Sequence, residues 1–574
     1  MARTRKQAKA AEQAADEPVE DQPGPSDAPA QKRRRVAPGA VKPKEKVKEE
    51  EKDADEEEEE KPETNHKSAP RVVRCVGPAP VFESCSIKEK SVVYAMQDSV
   101  YSVMLNKTDI GNNNNKFYGI QVLQLENNQF GCFLWWGRVG YAGQNSLARF
   151  PSAIGATNMF CSKFSAKTGL AWDERNEAAV YGKYRLVEID QFQDTLDKEN
   201  EGNEQDADDK VKQEVPDSVL AAEIQEVIKM ITNLSMLANG IRSIELSYEN
   251  SEKMPLGKLT AAQLERGYEN LKELENLLKR KKCDRSLLIR ATNDFYSNIP
   301  HSLGFSRPKV IDDMDEVKAK CELLDTLKEV QIAIKTIKEG ENGIKEEQNP
   351  IDRMYLSLKC DFQVVSPKSA NFKMIQDYMQ KTHASTHTFA MKIKTVFEVK
   401  RHVEDERFID HGNKMLLWHG SRLTNFCGIL SHGLRIAPPE APCTGYMFGK
   451  GIYFADSSSK SGNYCYPKNK EEGLLVLAEV SLGVVNEKKG ADYDASKLPA
   501  GKHSTFGMGQ WAPSSGKQSF KKIFDDVVVP MGPLERVTDR TDCSLLYNEY
   551  IVYNEAQVRL RFLVQTEFSD DLDI

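Results

Sequence analysis

The spacing of apolar residues changes period along this chain, and that constrains the fold most, because a stretch patterned for a sheet face cannot present one continuous stripe as a helix. Over residues 90–195, Tyr118, Ile120 and Val122 alternate with small or polar partners, Asn127-Asn128 offers a turn, and Phe130-Gly131-Cys132-Phe133-Leu134-Trp135 follows. This predicts an antiparallel sheet. Met159, Phe160, Phe164 and Leu170 then recur at near-helical spacing and predict one helix, over 157–170, packed on the sheet. Over residues 217–345 the period is helical, in three stripes: Leu220, Ile224, Val227, Ile231 and Leu234; Leu264, Tyr268, Leu271, Leu274 and Leu278; Cys321, Leu324, Leu327, Ile334 and Ile337. Thr260 stands three residues before Gln263, a capping-box arrangement that fixes the start of the second helix. From 350 to 574 the texture is mixed, with a run Leu474-Leu475-Val476-Leu477 suited to a buried strand, alternation at Val558, Leu560, Phe562 and Val564, and glycine and proline loops between Gly433 and Gly451. The expected class is an α+β multidomain chain: a small antiparallel-sheet domain, an all-α helical bundle, and a mixed α/β domain with an antiparallel β core.

With 574 residues and 39% apolar composition, several such cores are affordable. Residues 1–75 are the exception: Lys, Arg, Glu, Pro and Ala dominate, aromatics are nearly absent, and the segment is expected to be disordered. Within it, Lys32-Arg33-Arg34-Arg35 is a compact basic cluster that reads as a nuclear-import signal or a solvated charge run, and 49–60 is mainly acidic. The stretch 191–216 reads as a linker. A formal net charge of −8 argues against wholesale polyanion binding, so any nucleic-acid contact must be local. No apolar run reaches the roughly 18 residues of a membrane span, and the first residues lack the apolar stretch of a secretory signal. The 11 cysteines form no CxxC pair, which disfavours both a disulfide framework and a zinc ribbon.

Several chemistries fail on spacing. Gly445-Tyr446-Met447-Phe448-Gly449-Lys450-Gly451 is one residue short of a phosphate loop and lacks its Ser or Thr; no GxGxxG opens a βαβ unit; His383 and His387 have Ala384 where a zinc protease needs glutamate. What remains is Trp418-His419-Gly420-Ser421-Arg422, then Gly449-Lys450-Gly451-Ile452-Tyr453-Phe454-Ala455-Asp456, then Asn548-Glu549-Tyr550-Ile551-Val552-Tyr553. The region from about Asp352 onward strongly resembles the catalytic domain of the poly(ADP-ribose) polymerases, whose signature is a His, a Tyr and a Glu in these contexts. Upstream, Trp136-Gly137-Arg138 with Gly140 and Gly143-Gln144 resembles the WGR module of the DNA-dependent members, and 217–345 resembles their autoinhibitory helical domain. Only the tail, 1–75, is unmatched, and no zinc fingers precede the WGR-like region.

The resemblance implies an ADP-ribosyltransferase in 350–574 that consumes NAD+ as substrate, with no prosthetic group and no metal. Breaking the nicotinamide–ribose bond passes through an oxocarbenium-like state, so a carboxylate near that ribose stabilises developing charge. The resemblance gives that role to Glu549, and makes His419 a partner of the adenine-side ribose and the Gly420 backbone a partner of the carboxamide. Tyr453 and Tyr464 would stack on the nicotinamide, and Ser461 would bond its amide. Lys460 is a second charge near the site, Ser421 and Arg435 match positions contacting the adenosine half, and Met447 and Tyr547 match the acceptor side. Trp136, Gly137 and Arg138 would meet DNA nicks and ends, the indole stacking on a terminal sugar or base and the guanidinium bonding a phosphate. Without that context Trp136 reads as a core residue and Arg138 as a surface charge. The implied partners are damaged DNA, NAD+, the enzyme itself and chromatin proteins as acceptors, and an accessory protein that redirects transfer to serine; the implied location is the nucleus. Two other readings stay open at this point: transfer of single ADP-ribose units, and a catalytically silent DNA-binding scaffold.

Overall fold

The computed structural model describes residues 79–570 apart from 97–98, 127, 190–215, 234–258, 343–347, 444, 467–469, 517–518 and 525. The tail with its basic and acidic clusters, nearly all of the 191–216 linker, Asn127 and Leu234 lie outside the described residues.

The first sheet contains β1 (Ser91–Val93), β2 (Ser102–Asp109), β3 (Asn114–Leu125), β4 (Phe130–Arg138), β5 (Gln144–Phe150) and β6 (Arg185–Val187) in the order β5-β4-β3-β2-β6, with β1 also on β3, all antiparallel. The alternating residues Tyr118, Ile120 and Val122 are buried on β3 as the period demands. One helix, α1 (Ala153–Thr168), lays Phe160 and Phe164 on that face. The expected helix was drawn too late at both ends: Gly169, at φ 77°, makes the left-handed cap, so Leu170 reaches the same core from beyond the helix.

The helical region contains α2 (Ala222–Ile231), α3 (Ala261–Leu278), α4 (Arg285–Asn298) and α5 (Met314–Asn342). Thr260 caps α3 by accepting from the Gln263 amide at 3.2 Å. The reciprocal half of the capping box is not formed, because the fully buried Gln263 side chain instead accepts from Glu188 N and donates to Asn298 O at 2.7 Å. The stripes do not build one separate bundle. Leu264, Tyr268, Leu271, Phe295 and Leu324 form a core with Ile110 and Val187 of the first sheet, whereas Ile224, Val227, Val330, Ala333 and Ile337 share a core with Leu358, Phe426 and Leu430 of the C-terminal region. α5 therefore spans two cores.

The C-terminal region adds α6 (Pro350–Ser357), β7 (Asp361–Val364), α7 (Ala370–Lys381), β8 (Ala390–Lys400), α8 (His402–Arg407), β9 (Lys414–Gly420), α9 (Phe426–His432), β10 (Ile452–Phe454), α10 (Ser458–Asn463) and β11 (Glu472–Ser481). There follow β12 (Val485–Lys488), β13 (Ser504–Gly507), β14 (Gly509–Pro513), β15 (Phe520–Ile523), β16 (Val527–Pro530), β17 (Leu534–Arg536), β18 (Leu545–Tyr547), β19 (Glu549–Val552) and β20 (Val558–Ser569). A seven-stranded sheet runs β15-β16-β9-β11-β20-β8-β7, antiparallel except where β9 meets β16. The apolar run 474–477 is fully buried on its central strand β11. A four-stranded sheet, β10-β19-β13-β12, meets it where Trp418 and Ala455 exchange backbone hydrogen bonds of 2.9 and 3.0 Å. That seam brings the ends of β9, β10 and β19 together.

Candidate active site

β9 ends in His419-Gly420, paired with Val476 and Leu475 of β11. Its alternation buries Trp418 in the core and leaves His419 on the other face. His419 Nδ1 lies 2.9 Å from the Tyr453 carbonyl oxygen. That oxygen can only accept, so Nδ1 carries the proton and Nε2 is left as an acceptor. Burial holds the imidazole below the usual histidine range, with the Tyr453 carbonyl opposing. At Gly420 any Cβ would overlap the Ser461 carbonyl. This glycine is required by close approach, since its φ is not in the left-handed region.

Tyr453, on β10, donates its hydroxyl to Gly449 O at 2.7 Å and accepts from Phe448 N at 3.0 Å. The glycine-rich loop that resembled a phosphate cradle is thus folded around a tyrosine hydroxyl. The short helix α10 follows, capped by Ser457, whose hydroxyl also donates to Thr382 O at 3.0 Å. α10 carries Lys460 and the buried Ser461, and Tyr464, just past its end, is 55% exposed.

Glu549 opens β19, and Lys460 Nζ bonds its Oε1 at 2.9 Å while also donating to the carbonyls of Tyr547 at 2.9 Å and Asn548 at 3.2 Å. Burial pulls the Lys460 ammonium below its ordinary range and the Glu549 carboxylate opposes this. His419, Gly420, Ser421, Arg435, Met447, Tyr453, Lys460, Ser461, Tyr464 and Glu549, all expected site residues, line one cleft of about 360 Å³. Tyr547 does not line it: the side chain is buried, with Oη 2.6 Å from the Thr386 hydroxyl.

Three lining residues come from α5 and were missed by the sequence reading: Asp325, Lys328 and Glu329. Glu329 pairs with Arg435, and burial raises its carboxyl above the ordinary range against the pull of Arg435. Asp325 accepts from the Tyr268 hydroxyl of α3 at 2.5 Å. Nearby, Arg422 lies 3.4 Å from the Tyr466 ring centroid and 3.8 Å from Glu322 of α5, which also accepts from Tyr466 Oη at 3.2 Å. Apolar periodicity marks only a helix's core stripe, so charged residues beside it carry no signal that they close a cleft.

In the first sheet, Trp136 is half-buried and stacks on Tyr118 with centroids 6.0 Å apart. Gly137 is forced by the backbone of Gly143, whose Cα would sit 2.6 Å from any Cβ. Arg138 makes contacts within the protein that the sequence did not announce. Its Nε donates to Gly304 O at 2.5 Å, Nη2 to Ser306 O at 3.2 Å and Asn113 Oδ1 at 3.1 Å, and Nη1 to Asn113 O at 2.8 Å. Four of the five guanidinium N–H groups are thus given to protein oxygens. Here Arg138 joins the sheet to the helical region, alongside Asn106, bonded to Tyr296 O at 2.9 Å, and Asn115, bonded to His301 O at 2.8 Å. Among the described residues no helix is long and apolar enough to cross a membrane.

Comparison with known proteins accounts for all three regions. Residues 369–568 match the poly(ADP-ribose) polymerase catalytic domain, 218–355 the poly(ADP-ribose) polymerase regulatory domain, and 101–179 the WGR domain. The chain is 42% identical over 502 residues to poly [ADP-ribose] polymerase 2 of Homo sapiens, covering 86% of this chain and 84% of the relative. It is 42% identical over 483 residues to poly [ADP-ribose] polymerase 2-A of Oryza sativa, covering 82% and 70%. It is 38% identical over 502 residues to poly [ADP-ribose] polymerase 1 of Gallus gallus, covering 86% of this chain and 48% of that one. With its catalytic, regulatory and WGR regions all matched, the chain belongs to the poly(ADP-ribose) polymerase family and is an NAD+ ADP-ribosyltransferase.

Proposed function

We propose that this enzyme is switched on by DNA nicks and ends and builds poly(ADP-ribose) on itself and on chromatin and repair proteins in the nucleus. The observation that carries the reading is the convergence of His419, Tyr453 and Glu549 on one cleft, with Lys460 Nζ 2.9 Å from the Glu549 carboxylate. Glu549 stabilises the positive charge that develops on the ribose as nicotinamide leaves and orients the acceptor hydroxyl for chain growth. Lys460 holds that carboxylate in place. The neutral His419, proton on Nδ1, offers Nε2 to a hydroxyl of the adenine-side ribose. The bare Gly420 backbone meets the carboxamide together with Ser461, Tyr453 and Tyr464 stack on the ring, and Ser421 and Arg435 hold the adenosine half. Met447 lies on the acceptor side. An accessory protein would redirect transfer to serine.

The regulatory helix α5 closes the cleft. Glu329 occupies Arg435, which the adenosine half of NAD+ requires, so closed and NAD+-bound states compete. DNA engages the WGR sheet through Trp136, and Arg138 passes the strain to the 304–306 loop of the regulatory region.

The test is incorporation of labelled NAD+ into acid-insoluble product by the full chain, with and without nicked 5′-phosphorylated DNA, beside Glu549→Gln. DNA-stimulated ladders that vanish in the variant are expected. Ladders that persist in Glu549→Gln overturn the role of Glu549, and NAD+ binding without transfer by the unaltered chain overturns polymer formation.

A further inference from the structure

Lys460 holds the carboxylate of Glu549, but the strand that carries it is fixed from beneath by a group with no role in the scheme above. Asp456 is 1% exposed, and its Oδ2 accepts from Asn548 Nδ2 at 2.7 Å and from Tyr550 Oη at 3.0 Å. These are the residues immediately before and after Glu549. A strand alternates its side chains, so the residues flanking Glu549 point to the face opposite it, and one carboxylate oxygen grips both. The Asn548 amide cannot turn over. Its Oδ1 accepts from Gly509 N at 2.9 Å and from Arg540 Nη1 at 3.2 Å, which leaves Nδ2 to donate to Asp456.

The other end of the bracket is equally fixed. Asp456 directly follows Ala455, which exchanges backbone hydrogen bonds with Trp418, the neighbour of His419. The same segment carries Tyr453, whose carbonyl accepts the hydrogen bond from His419 Nδ1. One side chain thus ties the strand of Glu549 to the strands of His419 and Tyr453. Its other oxygen, Oδ1, is buried without a partner. A buried carboxyl with an unsatisfied oxygen is costly, and an apolar side chain would fill the space without that cost.

We infer that Asp456 is a positioning residue for the transfer reaction, setting the height and direction of Glu549 relative to His419 and Tyr453 by clamping Asn548 and Tyr550. The inference rests on the proposed role of Glu549. It acts on the reacting geometry and not on NAD+ affinity, because Asp456 itself does not line the cleft.

The experiment measures nicotinamide release by the full-length enzyme at saturating nicked DNA, giving kcat and KM for NAD+, for Asp456→Ala, Asp456→Asn, Glu549→Gln and the double variant Asp456→Ala/Glu549→Gln. A displacement of the catalytic carboxylate by about 1 Å is expected to lower kcat by about 10- to 100-fold in Asp456→Ala, with KM little changed. Asp456→Asn keeps an oxygen for both donors and should restore most of the rate. In the Glu549→Gln background the alanine change should cost almost nothing further, since the group it positions is gone. An equal penalty in both backgrounds, or asparagine as damaging as alanine, overturns the inference. Glu549→Gln turning over at the normal rate would instead overturn the proposed role of Glu549. Should Asp456→Ala fail to fold, Tyr550→Phe carries the test, because it keeps the ring stacked on Phe506 at 4.8 Å and deletes one of the two bonds. A several-fold loss of kcat that disappears in the Glu549→Gln background supports the clamp, and an unchanged kcat overturns it.

Discussion

Removing the carboxylate of Glu329 should switch the enzyme partly on without DNA. The side chain is 18% exposed and its partner Arg435 25%, so the pair sits at the edge of the cleft, partly shielded from water. A charge-assisted hydrogen bond contributes about 1.5–3 kcal/mol, but taking both ions out of water offsets much of it, leaving about 1 kcal/mol in favour of the closed state. That is roughly a fivefold shift in a two-state equilibrium. Glu329→Ala is therefore expected to raise DNA-free nicotinamide release about fivefold and to lower KM for NAD+, while the rate at saturating nicked DNA stays nearly constant. Gly428 supplies an independent route to the same state. A Cβ at this position of α9 would overlap Glu329 Oε2, the far end of a flexible side chain, so Gly428→Ala should displace the carboxylate without deleting it. The assay is steady-state nicotinamide release by both full-length variants, with DNA omitted and then saturating. If DNA-free rates stay at the original level in both, the pair does not hold the cleft closed and the reasoning is refuted.

Arg138→Ala should separate DNA binding from activation: its guanidinium bonds join the WGR sheet to the 304–306 loop, so anisotropy with nicked DNA should change little while DNA stimulation of activity falls severalfold. Gly420→Ala must push the Ser461 carbonyl aside, and overpacking of this kind costs about 1–3 kcal/mol, to be read as a lower melting temperature together with a raised KM for NAD+. Acidification should favour the closed state, because burial raises the Glu329 carboxyl above its value in the open state and the closed form therefore binds the proton more tightly. This closing preference is fully present below the open-state pKa and fades as pH rises through the raised value. The ratio of DNA-free to DNA-stimulated rate should accordingly fall as pH is lowered from neutral, and the trend should weaken in Glu329→Gln.

Much of the chemistry was legible because it lies in strands whose spacing is rigid. His419, Tyr453 and Glu549 sit on β9, β10 and β19, and the sequence motifs around them are the strand ends that meet at the Trp418–Ala455 seam. Periodicity also found Tyr118, Ile120 and Val122, the fully buried run 474–477, and the helical stripes as far as the described residues carry them. What it misjudged depends on long-range pairing. Gln263 looked like half of a capping box and is spent on Glu188 and Asn298, and the bond from Arg138 to the Gly304 carbonyl, 166 residues away, left no trace in the sequence. Nor did the sequence announce that Tyr547 is buried against Thr386. Polar side chains choose partners by three-dimensional proximity, and a period in the sequence carries no record of it.

The same limit explains why the regulatory region read as a separate bundle. Its apolar stripes are regular, but α5 uses Leu324 and Leu327 in the core shared with α3, α4 and the WGR sheet, and Val330, Ala333 and Ile337 in the core shared with α9 and α6. Glu329, which closes the cleft, stands at the changeover between these two groups. A single helix clamped in two cores can carry a displacement at the WGR end to the NAD+ end without unfolding both, because packed cores shift between discrete arrangements and do not deform continuously. It also makes simple truncation a poor way to expose the catalytic region. Cutting the chain to 350–574 would remove the inhibitory helix, but it would also uncover Phe426, Leu430 and Leu358, which α2 and α5 bury. DNA-independent activity is thus expected in a partial but stably folded form from point changes at Glu329 and Gly428, and in a destabilised form from the truncated chain, which should melt at a lower temperature than the same region within the whole enzyme.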